Sequence, residues 1–158
     1  MSKPVITDFT EVIPPEDDPD GFHAWKQFGG LDLNEAYVKF CSHPEHYQED
    51  FMFMGARAFL FYFPVIDRYI REVEGPVMGF DAEAWILGCG IKIQFEKNAS
   101  PLAQIGVRAE QLCDFVLHGL SQLPEGSTFQ PVREIEDAWV EAKASVMNAC
   151  AKGSGGAV

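Results

Sequence analysis

Residues 101–122, PLAQIGVRAEQLCDFVLHGLSQ, carry the strongest secondary-structure signal in the sequence. Apolar side chains recur there at steps of three and four residues, the spacing of one face of an α-helix. Burying each large aliphatic side chain of such a stripe contributes roughly 1.5–3 kcal/mol. The stretch therefore predicts a core helix that organises the others, with a stripe made of Leu102, Ile105, Ala109, Leu112, Cys113, Val116, Leu117 and Leu120.

Amphipathic patterns also lie on both sides of this stretch. Asp32 or Asn34 is a suitable N-cap for a helix that runs to about Ser42. Pro64 suits the first turn of the next amphipathic helix, because the first N–H groups of a helix have no intrahelical partner. Helical spacing returns over residues 132–150. The patterns together predict a mainly α fold, a single-domain bundle of about five or six helices.

The segment around Gly88 and Gly90 is open to two interpretations. Residues 82–87 have a helical pattern, and each glycine weakens a helix by roughly 1 kcal/mol relative to alanine. Over residues 91–96, apolar and polar side chains alternate, which matches a half-buried strand. The sequence is compatible with one short strand or hairpin near 91–96, or with a helix interrupted at the glycines.

Length and charge limit the classes of function. The 158 residues suit one domain, and 12 basic against 24 acidic residues give a net charge of -12, which argues against binding a phosphate backbone. The first 51 residues hold 11 acidic and 3 basic side chains. We expect a globular domain over residues 1–152, with an extended acidic segment at 11–21, and a flexible tail over 153–158.

Compartment and redox state follow from short patterns. The apolar run 58–66 has nine residues, far fewer than the roughly 20 that a transmembrane helix needs. The N-terminus has no apolar stretch typical of a signal peptide, so we expect a cytoplasmic protein with no membrane partner. The 4 cysteines form no C-x-x-C pair, which favours free thiols in a reducing compartment.

Two clusters have potential chemistry. Cys89 lies between glycines that would expose a thiol nucleophile, but it would need a base such as His23, His46 or His118. Residues 41–46, CSHPEH, contain possible metal ligands, yet the proline obstructs a regular helix through them and no second cluster completes a site. We expect no metal and no cofactor. No carboxylate has a sequence context that indicates burial, so paired-carboxylate catalysis is not expected.

Residues 58–64, AFLFYFP, and the helix after them resemble a group of uncharacterised small helical bacterial proteins in which Phe-Tyr-x-Pro opens a helix. A Leu and Gln segment at 102–104, Gln111 and the Phe-Leu-like run 115–117 extend the resemblance over about residues 50–122. Proteins of this kind are similar to the acidic immunity proteins that bacteria make against antibacterial toxins. The resemblance implies a toxin-neutralising function and supplies no catalytic residues.

The leading hypothesis is a binding protein and not an enzyme: an immunity protein whose acidic surface covers a basic site on a toxin or effector. Complementary charge accelerates association, and an aromatic anchor adds desolvated contacts. Two alternatives stay open: a small cysteine-dependent enzyme that uses Cys89, and a helical scaffold or effector chaperone. The residues predicted to contact the partner are Asp17, Asp18, Asp20, Trp25, Glu45, Glu49 and Asp50.

Overall fold

The computed structural model describes residues 18–72, 82–123 and 132–155. In the first range, α1 spans Pro19–Phe28, α2 Leu33–Ser42, α3 Pro44–Tyr47, α4 Asp50–Phe53 and α5 Ala56–Tyr69. In the second, α6 spans Ala82–Lys97, α7 Ala99–Leu102 and α8 Gly106–Ser121, with a 3-10 turn at Ala103–Ile105 before α8. Helix α9 spans Val132–Gly155. These ranges contain no strand, which confirms the predicted mainly α bundle.

Some predicted features fall wholly or partly outside these ranges. Asp17, most of the acidic segment 11–21 and residues 156–158 of the predicted tail are among them. Residues 153–155 belong to α9, which continues beyond its predicted end near Cys150. No helix in the described part of the chain has both the length and the apolar character that a membrane crossing requires.

The start of α2 follows the prediction from its capping residue. The Asp32 carboxylate accepts a hydrogen bond from the Glu35 backbone N–H at 2.8 Å. In return, the Glu35 carboxylate accepts one from the Asp32 backbone N–H at 3.4 Å. This reciprocal pair is a capping box, which satisfies two N–H groups that a helix start leaves unpaired.

The predicted role of Pro64 as a helix start is wrong. Helix α5 begins at Ala56, and Pro64 lies in its interior. A proline there costs about 3 kcal/mol because it removes one helical hydrogen bond. The preceding turns bury Phe59, Tyr62 and Phe63. Burying such side chains contributes about 1.5–3 kcal/mol each, which outweighs the cost of the proline.

Helix α6 runs unbroken through both glycines, so residues 91–96 are helical, and both the predicted strand and the predicted interruption at the glycines are wrong. Ile91 and Phe95, four residues apart, are both buried, as helical spacing requires. Gly88 is needed for close packing: a Cβ there would lie 2.8 Å from Nε1 of Trp139. That indole N–H donates to the backbone carbonyl of Ala84 at 2.8 Å. Tertiary contact with α9 thus fills the space that the glycine leaves.

The predicted helix 101–122 is interrupted near its start. Helix α7, the 3-10 turn and α8 replace one continuous helix, although the buried stripe is preserved apart from half-buried Leu117. Gly106 is the buried first residue of α8, and a Cβ there would overlap Sγ of Cys150. The chain therefore passes close to α9 at this point.

Helix α9 packs against both α6 and α8. Two side-chain contacts show its direction relative to α6. Lys92 Nζ lies 3.0 Å from Glu141 Oε2, and four residues further along both helices Ser145 Oγ donates a hydrogen bond to Glu96 Oε1 at 3.4 Å. Helices α6 and α9 are therefore parallel. Since Gly106 meets Cys150, while Asp114 further along α8 pairs with the earlier Lys143 at 2.7 Å, α8 is antiparallel to α9.

A buried amide joins the N-terminal helices to this three-helix unit. Gln94 of α6 is fully buried, and its Nε2 lies 2.8 Å, 3.2 Å and 2.7 Å from the backbone carbonyl oxygens of Phe51, Met52 and Met54. Its Oε1 accepts a hydrogen bond from Asn98 Nδ2 at 2.9 Å. Both ends of the amide are therefore satisfied, and α4 is fixed on α6.

A buried hydroxyl holds the end of α1. The Tyr62 hydroxyl lies 2.5 Å from the carbonyl oxygen of Phe28 and 2.7 Å from that of Leu31. Burial raises the pKa of Tyr62 to about 12, so the hydroxyl keeps the proton that it shares between these acceptors. Gly30, with φ of 82°, makes the turn that brings both carbonyls to one side chain.

The two glycines of α6 predict opposite effects of alanine. Gly88→Ala forces a methyl group against the Trp139 indole, and we expect it to lower the free energy of unfolding by about 1–3 kcal/mol. Gly90→Ala meets its nearest atoms at 3.7 Å, so we expect a gain of up to about 1 kcal/mol from helix propensity. Urea unfolding followed by circular dichroism measures both. Equal effects of the two substitutions would contradict the close packing of Trp139.

Replacing the buried amide of Gln94 by an isosteric carboxylate tests the hydrogen bonds that hold α4 on α6. Gln94→Glu keeps the shape but removes the donors that serve the carbonyls, so we expect a loss of about 3 kcal/mol or more at pH 7. Gln111→Glu, on the exposed side of α8, is the matched control and should change stability by less than about 0.5 kcal/mol. Thermal and urea unfolding measure both changes. A small change in the free energy of unfolding for Gln94→Glu would show that these hydrogen bonds contribute little.

Candidate functional site

A carboxylate is buried where α1 meets α4. Asp50, the first residue of α4, is 5 % exposed, although the sequence predicts it as a surface contact for a partner. The expectation that no carboxylate is buried is therefore wrong. Its closest titratable contact is His23 of α1, whose Nε2 lies 3.8 Å from Asp50 Oδ1. Local sequence gives no sign of this burial, because it arises from packing between helices that are distant in the chain.

One oxygen of this carboxylate has no hydrogen-bond partner. Asp50 Oδ2 is buried and no donor in the described ranges reaches it. The 3.8 Å contact at Oδ1 is longer than a hydrogen bond, so His23 approaches Asp50 without bonding it. A buried acceptor left unpaired costs about 1–3 kcal/mol. Asp50 thus reduces the stability of the fold, which is a property typical of functional groups.

Burial raises the pKa of Asp50, and the neighbouring positive charges oppose that effect. They come from three elements: His23 on α1, Lys39 on α2 and His46 on α3. Glu49, next in the chain, raises the pKa further. Two of the histidines that the sequence offers as bases for Cys89 therefore lie near Asp50.

Exposed carboxylates lie on the helices that carry the groups around Asp50, or next to Asp50 in the chain. Asp20 and His23 are three residues apart on α1 and so share a face of that helix. Glu45 and Glu49 are exposed on α3 and immediately before α4. We call Asp20, Glu45 and Glu49, together with Asp50 beneath His23, the acidic face. Asp18 has a structural role instead, since its carboxylate caps α1 by accepting the Gly21 backbone N–H at 3.0 Å.

Two aromatic residues of α1, Phe22 and Trp25, form a contact outside the buried side of the helix. Phe22 and Trp25 contact each other with ring centroids 5.7 Å apart, and Phe22 is 41 % exposed. The buried side of α1 consists of Gly21, Ala24 and Phe28. Phe22 is therefore outside the core, and Trp25 is half-buried.

Lys39 is a group of this region that sequence reasoning missed. Its Nζ donates a hydrogen bond to the backbone carbonyl of Gln27 at 2.5 Å. It also lies 5.8 Å and 5.4 Å from the ring centroids of Phe28 and Tyr47. The ammonium group is thus held by a carbonyl and two rings, and it makes no ion pair with Asp50 in the described structure.

The thiol candidate is in an unfavourable environment for catalysis. Cys89 is half-buried in α6, and burial raises the pKa of its thiol, with Lys92 opposing and Glu141 reinforcing the change. The thiolate is the reactive form, so this environment disfavours a nucleophile. His118, the third possible base, is exposed on α8.

The residues proposed as metal ligands are dispersed. His43 Nδ1 lies 3.3 Å from Ser42 Oγ. The His46 ring packs edge-on against the Tyr47 ring, with the two ring centroids 4.9 Å apart. Burial raises the pKa of the Cys41 thiol, which shares a hydrogen bond with Tyr37. Over residues 18–72, 82–123 and 132–155, no three side chains of His, Cys, Asp or Glu form a group that could hold a metal ion.

A separate open recess lies between α5 and the residues around α7. It has a volume of about 490 Å³ and is lined by Ala56, Arg57, Leu60, Pro101 and Gln104. Apolar and amide groups dominate this lining, so it lacks the paired acid and base that proton-transfer chemistry requires.

Comparison with known proteins gives no assignment of the site. No protein-family model, curated protein or solved structure matches the chain. The similarity to toxin-immunity proteins therefore stays a prediction from the sequence.

The burial of Asp50 predicts that its charge is destabilising. Because its folded-state pKa is raised, the protonated form stabilises the fold below the unfolded pKa of about 3.9, and this contribution is lost as pH rises through the folded pKa. Asp50→Asn should therefore raise the free energy of unfolding by about 1–3 kcal/mol at pH 7.5 and by much less near pH 4. Urea titrations at several pH values measure the difference.

The exposed neighbour provides the control for this prediction. Glu49→Gln removes a charge beside Asp50 without affecting a buried atom, so its effect should be within about 0.5 kcal/mol at either pH. If Asp50→Asn lowers stability at pH 7.5, the carboxylate has a stabilising partner and the account of the site is wrong.

Proposed function

We propose that the protein binds another protein through the acidic face and so neutralises a toxin or effector with a basic surface, as an immunity protein of the cytoplasm. The observation that carries the proposal is the buried, incompletely paired carboxylate of Asp50. A buried carboxylate with an unpaired oxygen, next in the chain to exposed Glu49, is suited to a ligand that supplies positive charge.

Electrostatics support a protein ligand with a basic surface. The chain carries a net charge of -12, and Asp20, Glu45 and Glu49 are exposed on the helices whose histidines lie near Asp50, or next to it in the chain. Such a surface repels nucleic acid. Its association rate with basic proteins is higher than that of an uncharged pair of proteins. The partner would bury this surface and form contacts that offset the cost of desolvating the partner's basic side chains.

Exposed Phe22, which contacts half-buried Trp25, extends the proposed interface. Phe22 is available on α1 beside Trp25, and Lys26 Nζ lies 5.7 Å from the Phe22 ring centroid. Aromatic side chains of this kind supply apolar contact area at a protein interface. A scaffold or effector chaperone would use the same surface and would differ only in what becomes of the partner.

The proposal is tested with the product of the adjacent reading frame, expressed in bacteria with and without this protein. We expect the neighbouring product to arrest growth alone and co-expression to restore it. For the purified pair, the triple variant Asp20→Asn, Glu45→Gln, Glu49→Gln should associate at least about tenfold more slowly at low salt, with a weaker salt dependence. Stopped-flow measurements at increasing salt concentration give both quantities.

A second triple variant controls for net charge. Glu83→Gln, Glu136→Gln and Asp137→Asn change the total charge equally but lie on α6 and α9, away from the acidic face. Their effect on the association rate should be at most about threefold. Equal slowing by the two triple variants would show that net charge and not the acidic face attracts the partner, and the proposed interface would then be rejected.

A further inference from the structure

We infer that Asp50 is the receptor for one cationic side chain, lysine or arginine, which the protein partner inserts beneath His23 between α1 and α4. The inference rests on the proposed function and specifies the partner chemistry at its centre. It combines two observations: a carboxylate more than nine-tenths buried, and an oxygen of that carboxylate with no donor in the described ranges.

The geometry provides a route to the carboxylate. His23 lies over Asp50, and its side chain is 54 % exposed, whereas that of Asp50 is 7 % exposed. The imidazole is not hydrogen-bonded to Asp50, because their closest atoms are 3.8 Å apart. An exposed side chain changes rotamer on the picosecond to nanosecond timescale, so His23 can move aside without unfolding α1.

The chemistry of the site favours an organic cation. An ionised carboxylate only accepts hydrogen bonds, so its ligand must be a donor, and charge-assisted donors bind it best. A metal ion would need further ligands, and no suitable group of three exists in the described structure. Nearby Lys39 is held by the Gln27 carbonyl and two aromatic rings. Lys39 therefore does not supply the donor, and we assign that role to the cation of the partner.

A second unpaired acceptor lies two residues away in the chain. Gln48 Oε1 is buried without a hydrogen-bond partner, while its Nε2 donates to the carbonyl of Glu45 at 3.3 Å. Two acceptors without donors on one short segment match a ligand with several N–H groups, as an ammonium or guanidinium group has. Gln48 Oε1 is therefore a second acceptor on this segment for such a ligand.

The site is tested with N-acetyl-arginine methylamide as the probe, and its uncharged citrulline counterpart as the control ligand. NMR titration of the labelled protein follows the Asp50 carboxyl carbon and the His23 ring. We expect saturable shifts in the millimolar range with the arginine probe, and at least tenfold weaker binding of the citrulline probe.

Matched variants separate this carboxylate from others. Asp50→Asn should weaken binding of the arginine probe at least about tenfold, and unfolding measurements confirm that the variant is folded. Asp67→Asn serves as control because that carboxylate already pairs with Arg71 at 3.0 Å, and it should leave probe binding unchanged. Shifts that do not saturate, equal binding of the two probes, or full binding by Asp50→Asn would each overturn the inference.

The same variants distinguish failure of the inference from failure of the proposed function. If Asp50→Asn binds the whole partner as tightly as the parent protein, while the acidic-face triple variant binds slowly, the interface stands and the inserted cation is rejected. If the arginine probe binds at Asp50 but the adjacent gene product does not bind the protein, the cation site stands and the proposed toxin-neutralising function is rejected.

Discussion

The Gln94 amide is the interaction on which the arrangement of the N-terminal helices depends. It lies in α6, inside the unit formed with α8 and α9, and reaches the backbone carbonyls of three residues at and beyond α4. A short helix such as α4 cannot be stable alone, because helix nucleation is unfavourable. The amide supplies a fixed anchor for it. Asp50, as the first residue of α4, is positioned by the same contact.

The site and the stability of the fold are thus connected through one short segment. Gln94 satisfies the carbonyl groups at Phe51 and Met54, whereas Asp50, beside them, keeps an unpaired oxygen. The hydrogen bonds of Gln94 stabilise the segment that carries this costly side chain. The unpaired oxygen of Asp50, beside carbonyl groups that are all hydrogen-bonded to Gln94, is a stronger reason than the net charge to take the acidic face as the candidate site.

Much of the fold follows from local sequence patterns. The stripe over residues 101–122 is buried as its spacing predicts, and Asp32 caps α2 through a local hydrogen-bond pair. The errors occur where a distant segment changes the local preference. Gly88 and Gly90 weaken a helix in isolation, yet α6 continues because Trp139 packs against the first of them. Pro64 lies inside α5 because the aromatic residues before it are buried.

The candidate site was predictable only in part, for the same reason. The sequence by itself determined the helical class, the concentration of acidic residues in the first third and the exposed positions of Asp20, Glu45 and Glu49, since these depend on composition and short-range spacing. Only the tertiary structure decided that Asp50 is buried and that His23 and His46 lie near it. Burial depends on which helices meet, and segments far apart in the chain determine that contact by packing together.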